Sequence, residues 1–344
     1  MGRIRFVSGL VAAALMVAAC GGTTGGTSSS CSKTFKVGQV TDIGKLSDKS
    51  FNFDANVGLK AAQSDPSLCV KGAVIESTSE DDYAKNIQTF LDQKYDMIVT
   101  VGFKLGDATL KAAQANPGVK FAIVDYTYKT YPSNLAGLVF SEDQPGFLAG
   151  ALAGLLTKTN VIGEVAGLET VPPVVHYVQG FENGAKYTNS KVKPLHIYQP
   201  ESGAKDFNDP DWGKQQALTF IGQGADIIFG VGGNTGNGGL IGANEQGKMC
   251  VGVDVDQYVF FPELRRCFIT SAEKLVHNGV KTAITNLVKG TWVSGTVSYN
   301  LKNNGVALGP YHDFDSKISA SSKAKIKDIM TKLKDGSLST GVTA

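Results

Sequence analysis

Short apolar runs alternate with longer amphipathic stretches along most of this chain. KVGQV (36–40), VKGAVI (70–75), DMIVTV (96–101), KFAIVD (120–125) and LAGLVF (135–140) form a first series. VIGEVA (161–166), PLHIYQ (194–199), DIIFGV (226–231) and CVGVDV (250–255) form a second. Runs of this length, rich in β-branched residues, read as strands covered on both faces. Between them the apolar positions recur at helical spacing. Ser79 and Asp82 make a capping-box-like start, and Tyr83, Ile87, Phe90 and Leu91 then fall on one helix face. Similar patterns predict helices over 53–64, 105–115, 143–157, 174–188, 211–223, 237–246, 272–289 and 320–335. Strand–helix alternation in two series predicts an α/β protein with two mostly parallel, doubly wound sheets. No internal repeat is visible in the sequence.

In doubly wound sheets ligands bind beyond the carboxyl ends of the strands, so the residues just after each strand carry the candidate chemistry. Asp42 and then SDKSFN (47–52) follow the first strand, GFKLGD (102–107) the third, and Asp125 with Tyr126 the fourth. In the second series the corresponding stretches are AGLETVPP (166–173), GGNTGNGG (232–239) and DVDQ (254–257). These ends supply Asp, Asn, Gly and aromatic side chains. His176, His196, His277 and His312 are scattered and there is no Cys-x-x-Cys, which disfavours a zinc site. GVGGNTGNGG lacks the last Gly of a Rossmann fingerprint and the Lys of a P-loop, and reads instead as a tight turn before a helix. Asp254 and Asp256 lack the ligand series of an EF-hand. Neither a metal nor a cofactor is expected.

The N-terminal segment MGRIRFVSGLVAAALMVAAC has a basic start (Arg3, Arg5), an apolar stretch too short to span a bilayer, and small residues before Cys20. It resembles a lipoprotein signal peptide (1–19) with Cys20 as the lipidated mature N-terminus. A Gly/Ser/Thr tether over 20–34 follows. Removing Arg3 and Arg5 leaves a formal net charge of 33 − 2 − 31 = 0. With no basic block, nucleic-acid binding is disfavoured. Cys31, Cys69, Cys250 and Cys267 remain, an even number that suits disulfides outside the cytoplasm. Three pairings are possible. The first two strands begin side by side in such a sheet, which favours Cys31–Cys69 and leaves Cys250–Cys267.

Five motifs in order narrow the reading: DKSFN (48–52), SEDQPGFLAGALAG (141–154), GFENGA (180–185), VGVDVDQ (251–257) and ITSAEK (269–274). Together they resemble the basic membrane protein (BMP) family of solute-binding lipoproteins over about residues 35 to 335. Its best-understood branch comprises purine nucleoside receptors of ABC importers. The resemblance implies a type I periplasmic-binding-protein fold, two α/β lobes joined by three crossovers. The expected lobes are 35–141 plus 257–290 and 142–256 plus 291–335, with a tail over 336–344. It further implies a nucleoside ligand, an ABC permease and ATPase as partners, a monomer, contact with the membrane through the lipid anchor only, and no turnover.

Carried over by motif, the base would lie between Phe181 and either Phe51 or Phe53. Asp42, Asn52 and Asp125 would lie near its edge. Asp254 and Lys274 would hold ribose hydroxyls, and Gly232 would allow close backbone approach. The chemistry is consistent. Aromatic side chains stack on base faces, a carboxylate accepts two hydrogen bonds from a cis-diol, and an ammonium offsets buried acid. Each phenylalanine taken alone also suits a core position, and residues i and i+2 at a helix start point different ways. Two other classes stay open: a secreted nucleoside-processing enzyme, and a surface lipoprotein or sensor for another small ligand.

Overall fold

A computed structural model describes Cys31 and residues 33–343. The signal segment 1–19, Cys20 and most of the tether lie outside the described residues. Strands β1 (Phe35–Thr41), β2 (Val70–Ile75), β3 (Met97–Val101), β4 (Lys120–Val124) and β5 (Leu135–Phe140) alternate with helices α1 (Phe51–Gln63), α2 (Asp82–Asp92) and α3 (Gly106–Ala115). The chain continues through α4 (Asp143–Leu156), β6 (Val161–Ala166), α5 (Pro172–Thr188), β7 (Lys193–Tyr198), α6 (Pro210–Gly222) and β8 (Ile227–Val231). Next come α7 (Gly233–Glu245), β9 (Met249–Asp254), the short α8 (Gln257–Phe260), β10 (Phe268–Lys274) and α9 (Val276–Val288). It ends with β11 (Gly295–Tyr299), β12 (Val306–Leu308) and α10 (Ala320–Asp335).

The strands form two six-stranded sheets, ordered β11-β5-β4-β3-β1-β2 and β12-β10-β9-β8-β6-β7. Every pairing is parallel except the short β10–β12 contact. The central strands β3 and β8 are buried throughout, whereas the edge strands β2, β7 and β11 keep exposed positions. Continuous apolar runs therefore mark strands covered by helices on both faces.

The nine expected strands are all present, and the two-lobed α/β architecture stands. Three strands were missed, and with them the lobe boundaries. Residues 272–274, read as the start of a helix, instead end β10 in the second sheet. β11 in turn joins the first sheet beside β5. The chain thus crosses between sheets after Phe140, after Lys274 and after Tyr299. The expected limits of 257–290 and 291–335 are corrected accordingly: 257–274 belongs with the second sheet and 295–299 with the first. α9 does belong to the first lobe, because the backbone N–H and Nδ1 of His277 meet the Asp54 carboxylate on α1 at 3.0 and 2.8 Å.

The helix over 143–157 packs closely through its small residues. A Cβ at Gly150 would overlap the Phe181 carbonyl, and one at Gly184 would overlap the Phe147 carbonyl, so α4 and α5 touch backbone to backbone. The two disulfides join Cys31 to Cys69 and Cys250 to Cys267, with Cα atoms 5.8 and 5.0 Å apart.

The core also holds an unpaired carboxyl group. Glu164 in β6 is fully buried and neither carboxylate oxygen has a hydrogen-bond partner. Burial, reinforced by Glu182, holds its pKa well above the usual carboxylate range. The folded state therefore keeps a proton that the unfolded chain releases near pH 4.5, and stability falls as pH rises through that window. Glu164→Met is expected to stabilise the fold by about 1–3 kcal/mol, the usual cost of an unsatisfied buried polar group. Thermal unfolding followed from pH 5 to 8 should also show a flatter pH dependence in the variant.

Candidate functional site

Each sheet reverses its strand order once, between β1 and β3 in the first and between β6 and β8 in the second. A crevice opens at such a switch point because the flanking connections leave to opposite faces. Here the two crevices face one another across a partly open cavity. Asp42, Gly44 and Asp48 line it from the end of β1, Gly102, Phe103 and Lys104 from β3, and Asp125 from β4. The second lobe contributes Val171, Val174 and Tyr177 after β6, Gly232 and Gly233 after β8, Asp254 at the end of β9, and Phe207.

Backbone geometry aims the acids inward. Asp125 and Asp254 both sit at positive φ, 67° and 64°, just as their strands end. That conformation costs an L-residue about 1 kcal/mol or more and turns the side chain out of the strand's register. Gly102 and Gly232 have φ of 121° and 126°, which a side chain would not tolerate at this close approach of the two strand ends. At Gly232 a Cβ would press on the Gly167 amide 2.5 Å away.

The deepest feature is ionic. The Lys274 ammonium, 3% exposed, donates to Asp125 Oδ2 at 2.6 Å and to Glu142 Oε1 at 3.3 Å. It also lies 4.6 Å from the centre of the Phe51 ring, a cation–π arrangement. Burial works to lower the Lys274 pKa, but Asp125, Glu142 and Asp254 together raise it above the ordinary lysine value. Asp125 is pushed up to about 7 by burial, with Lys274 opposing and Glu142 reinforcing. Burial likewise raises Asp254, against the pull of Lys274 and a 2.5 Å hydrogen bond from the Ser50 hydroxyl.

A second polar group hangs from the loop after β1. Asp42 Oδ1 accepts from Asn52 Nδ2 at 2.7 Å and from the Gly44 amide at 2.8 Å. Asp48 accepts from the amides of Ser50, Asn52 and Phe53 at 2.9, 2.9 and 3.1 Å. Burial still pushes Asp48 up to about 7. Asn52 Oδ1 and Asp125 Oδ1 are buried acceptors with no protein donor. The cavity thus offers ring faces and carboxylate acceptors. Its two ammonium groups are both engaged, since Lys104 is held by Glu80 at 2.6 Å and Asp206 at 2.9 Å.

Seven of the nine expected ligand residues meet here: Asp42, Phe51, Asn52, Asp125, Gly232, Asp254 and Lys274. The choice between the two phenylalanines falls on Phe51. Phe53 turns away from the cavity and packs edge-on against Phe260 at 4.9 Å. Phe181 does not reach the cavity either. It is fully buried beneath α5, stacked on Phe229 of β8 at 4.7 Å, because the backbone contact between α4 and α5 leaves its ring facing the sheet. The other aromatic groups lining the cavity are Phe103, from the same lobe as Phe51, and Phe207 and Tyr177 from the second lobe. Phe103 lay within the GFKLGD stretch already singled out, whereas Phe207 sits in a long loop with no periodic signal. Tyr177 shares its helix with apolar residues that read as core. Among the described residues no cluster of three or more His, Cys, Asp or Glu is arranged to hold a metal ion.

Comparison with known proteins bears on the family and the fold. A family model described as ABC transporter substrate-binding protein PnrA-like matches residues 35–337. The chain is 32% identical over 327 residues to the ABC transporter nucleoside-binding protein BmpA of Lactococcus lactis, covering 90% of this chain and 88% of that one. It is 32% identical over 352 residues to the CD4+ T-cell-stimulating antigen of Listeria monocytogenes, covering 96% of each. Among solved structures, an ABC transporter solute-binding protein from Aeropyrum pernix superposes with a TM-score of 0.79 at 24% identity, covering 89% of this chain and 92% of that one. That likeness concerns the fold.

Lys274 is the most exacting member of the site. Lys274→Met leaves Asp125, Glu142 and Asp254 buried without their counter-charge, and the expected loss is about 3–5 kcal/mol at neutral pH. Unpaired carboxylates hold protons more tightly in the folded than in the unfolded chain, so the loss should shrink on acidification. Denaturant titration at pH 7.5 and pH 5 measures both effects.

Proposed function

The chain belongs to the Bmp family of PnrA-like ABC transporter substrate-binding proteins, and from that premise we propose that it binds nucleosides between its lobes and delivers them to an importer's permease. The observation that carries the proposal is the pairing of ring faces with carboxylate acceptors around one cavity. Phe51 offers a ring for a base, and Phe103, Phe207 and Tyr177 line the same cavity. Asp42 and Asn52 stand at one polar edge, where Asn52 Oδ1 still lacks a donor. Asp125 and Asp254 stand at another, beside Lys274, where a sugar's hydroxyls would find acceptors.

Charge narrows the ligand further. Four carboxylates and two ammonium groups line the cavity, and both ammonium groups are already paired. A phosphate would meet acids and no unengaged cation among these lining residues. The site suits a neutral solute rich in hydrogen-bond donors, and so nucleosides rather than nucleotides. Purine nucleosides are the first expectation, because Phe51, Phe103, Phe207 and Tyr177 all line the cavity and offer stacking to a large bicyclic base.

Isothermal titration with adenosine, guanosine and inosine should give saturable binding for at least one. Phe51→Ala should weaken it by about ten- to a hundredfold, as the loss of one stacking partner does. The matching 5′-monophosphate should bind at least about a hundredfold more weakly, as buried like charges dictate. Heat from none of the three nucleosides would overturn the ligand class, and release of free base on incubation would point to an enzyme instead.

No helix among the described residues is long and apolar enough to cross a membrane. The proposed membrane attachment is the lipid on Cys20, the last residue of VAAC. Two or three acyl chains on one cysteine suffice for stable anchoring. Labelled palmitate should enter the intact protein in bacteria and be absent from the Cys20→Ser variant, which should then partition with the soluble fraction.

A further inference from the structure

The loop over residues 48–53 points in two directions at once. The Asp48 carboxylate gathers the amides of Ser50, Asn52 and Phe53, and Lys49 adopts a left-handed φ of 47°. This tight turn sends Phe51 and Asn52 into the cavity. Lys49 and Phe53 do not line it; they reach the opposite lobe instead. The Phe53 ring packs against Phe260 at 4.9 Å with the planes at 68°. The Lys49 ammonium donates to the Phe260 carbonyl at 2.9 Å and sits 4.5 Å from the centre of the Phe261 ring. Gln257 Nε2 returns a hydrogen bond to the Lys49 carbonyl at 3.4 Å.

We infer that Lys49 and Phe53, docked on residues 257–261, form a closure clasp that sets how long a ligand stays bound without choosing which ligand binds. The reasoning is linkage. These contacts join the two lobes, so they exist only while the lobes are together and weigh on the open–closed equilibrium. A change in that equilibrium alters the apparent affinity of every ligand of the closed form by one common factor. Residues that touch the ligand alter each affinity by a different factor. The same six-residue motif therefore carries two separable functions, recognition in Phe51 and Asn52 and retention in Lys49 and Phe53.

The inference rests on the reading that the cleft binds a solute by closing, and its test separates the two. Spin labels are placed at exposed Lys85 on α2 and exposed Gln215 on α6, one in each lobe. Distances between them are measured in the full chain with and without adenosine, and dissociation rates are measured for adenosine, guanosine and inosine. Phe53→Ala and Lys49→Met are expected to shift the distances toward the open form. They should raise every dissociation rate by about tenfold, the scale of one aromatic pair or one cation–π contact. Kd ratios among the nucleosides should stay within about twofold, since closure acts on all alike. Lys49→Arg should recover most of the loss. Should Phe53→Ala fail to fold, Phe53→Leu keeps the apolar volume, removes the ring pair and carries the same expectation. Unchanged rates with unchanged distances overturn the clasp, and so does a change in the Kd ratios. If no nucleoside binds the parent protein, the ligand class fails, while the label distances alone still decide the clasp: a shift supports it and none overturns it.

Discussion

A buried ammonium among carboxylates is the constraint on which the rest of this structure depends. Lys274 is the last residue of β10, at the point where the chain leaves the second sheet for the first. Its partners come from elsewhere: Asp125 closes β4 in the first sheet, and Glu142 opens the first crossover. A charge this deep persists only if it is paired and hydrogen-bonded. The pairing ties two of the three crossovers to the floor of the cavity. The third is fastened to the first by the Ser141 amide, which donates to the Tyr299 carbonyl at 2.9 Å, and by the Leu301 amide, which donates to the Gln144 side-chain oxygen at 2.8 Å. Hinge and site are thus one object. A ligand that competes for Asp125 or Asp254 acts directly on the group that holds the crossovers together.

The two lobes meet this constraint with the same local solution. Their strand orders correspond, β2-β1-β3-β4-β5 matching β7-β6-β8-β9-β10. Gly102 and Gly232 follow equivalent strands at nearly the same positive φ, and Asp125 and Asp254 end equivalent strands in the same left-handed conformation. No internal repeat is visible in the sequence because only the backbone conformation and two residue types correspond. The physical requirement explains both: a chain leaving a buried parallel strand must turn sharply at the switch point, and glycine or aspartate tolerates that turn.

How much the sequence reveals follows from what each element buries. The nine central and flanking strands carry predominantly apolar runs and are legible. β10 reads FITSAEK and looks polar, yet most of it is buried, because its Thr, Ser and Lys side chains meet partners at the lobe junction. Hydropathy does not register polarity that tertiary pairing satisfies. β11 is an edge strand that alternates half-exposed and exposed positions, and β12 has three residues, too few for any period to show. The site was legible where a residue's place follows from the strand end alone, as with Asp42, Asp125, Gly232 and Asp254. It was not legible where helix rotation decides. Phe181 looked inward to the cleft by motif, but the glycine-mediated contact between α4 and α5 turns it to Phe229. Phe51 and Phe53 differ by two positions, about 200° around a helix, so a single turn set by Asp48 separates them.

The acidic cavity and the apolar clasp oppose each other, and their balance accounts for closure that answers to a ligand. Bringing the lobes together buries Asp42, Asp48, Asp125 and Asp254 around one space, and burial drives every one of their pKa values up. That is an electrostatic cost of closing, reduced when a bound solute donates hydrogen bonds to those oxygens. Phe53 on Phe260 and Lys49 on Phe261 favour closing irrespective of what the cavity holds. If the clasp far outweighed the acids, the protein would shut empty and admit ligand slowly. If the acids far outweighed it, donors from the ligand could not bring the lobes together at low concentration. A receptor of the proposed kind must capture a scarce solute and then release it to a permease. It needs the two terms to be nearly equal, so that the ligand's few hydrogen bonds decide the state.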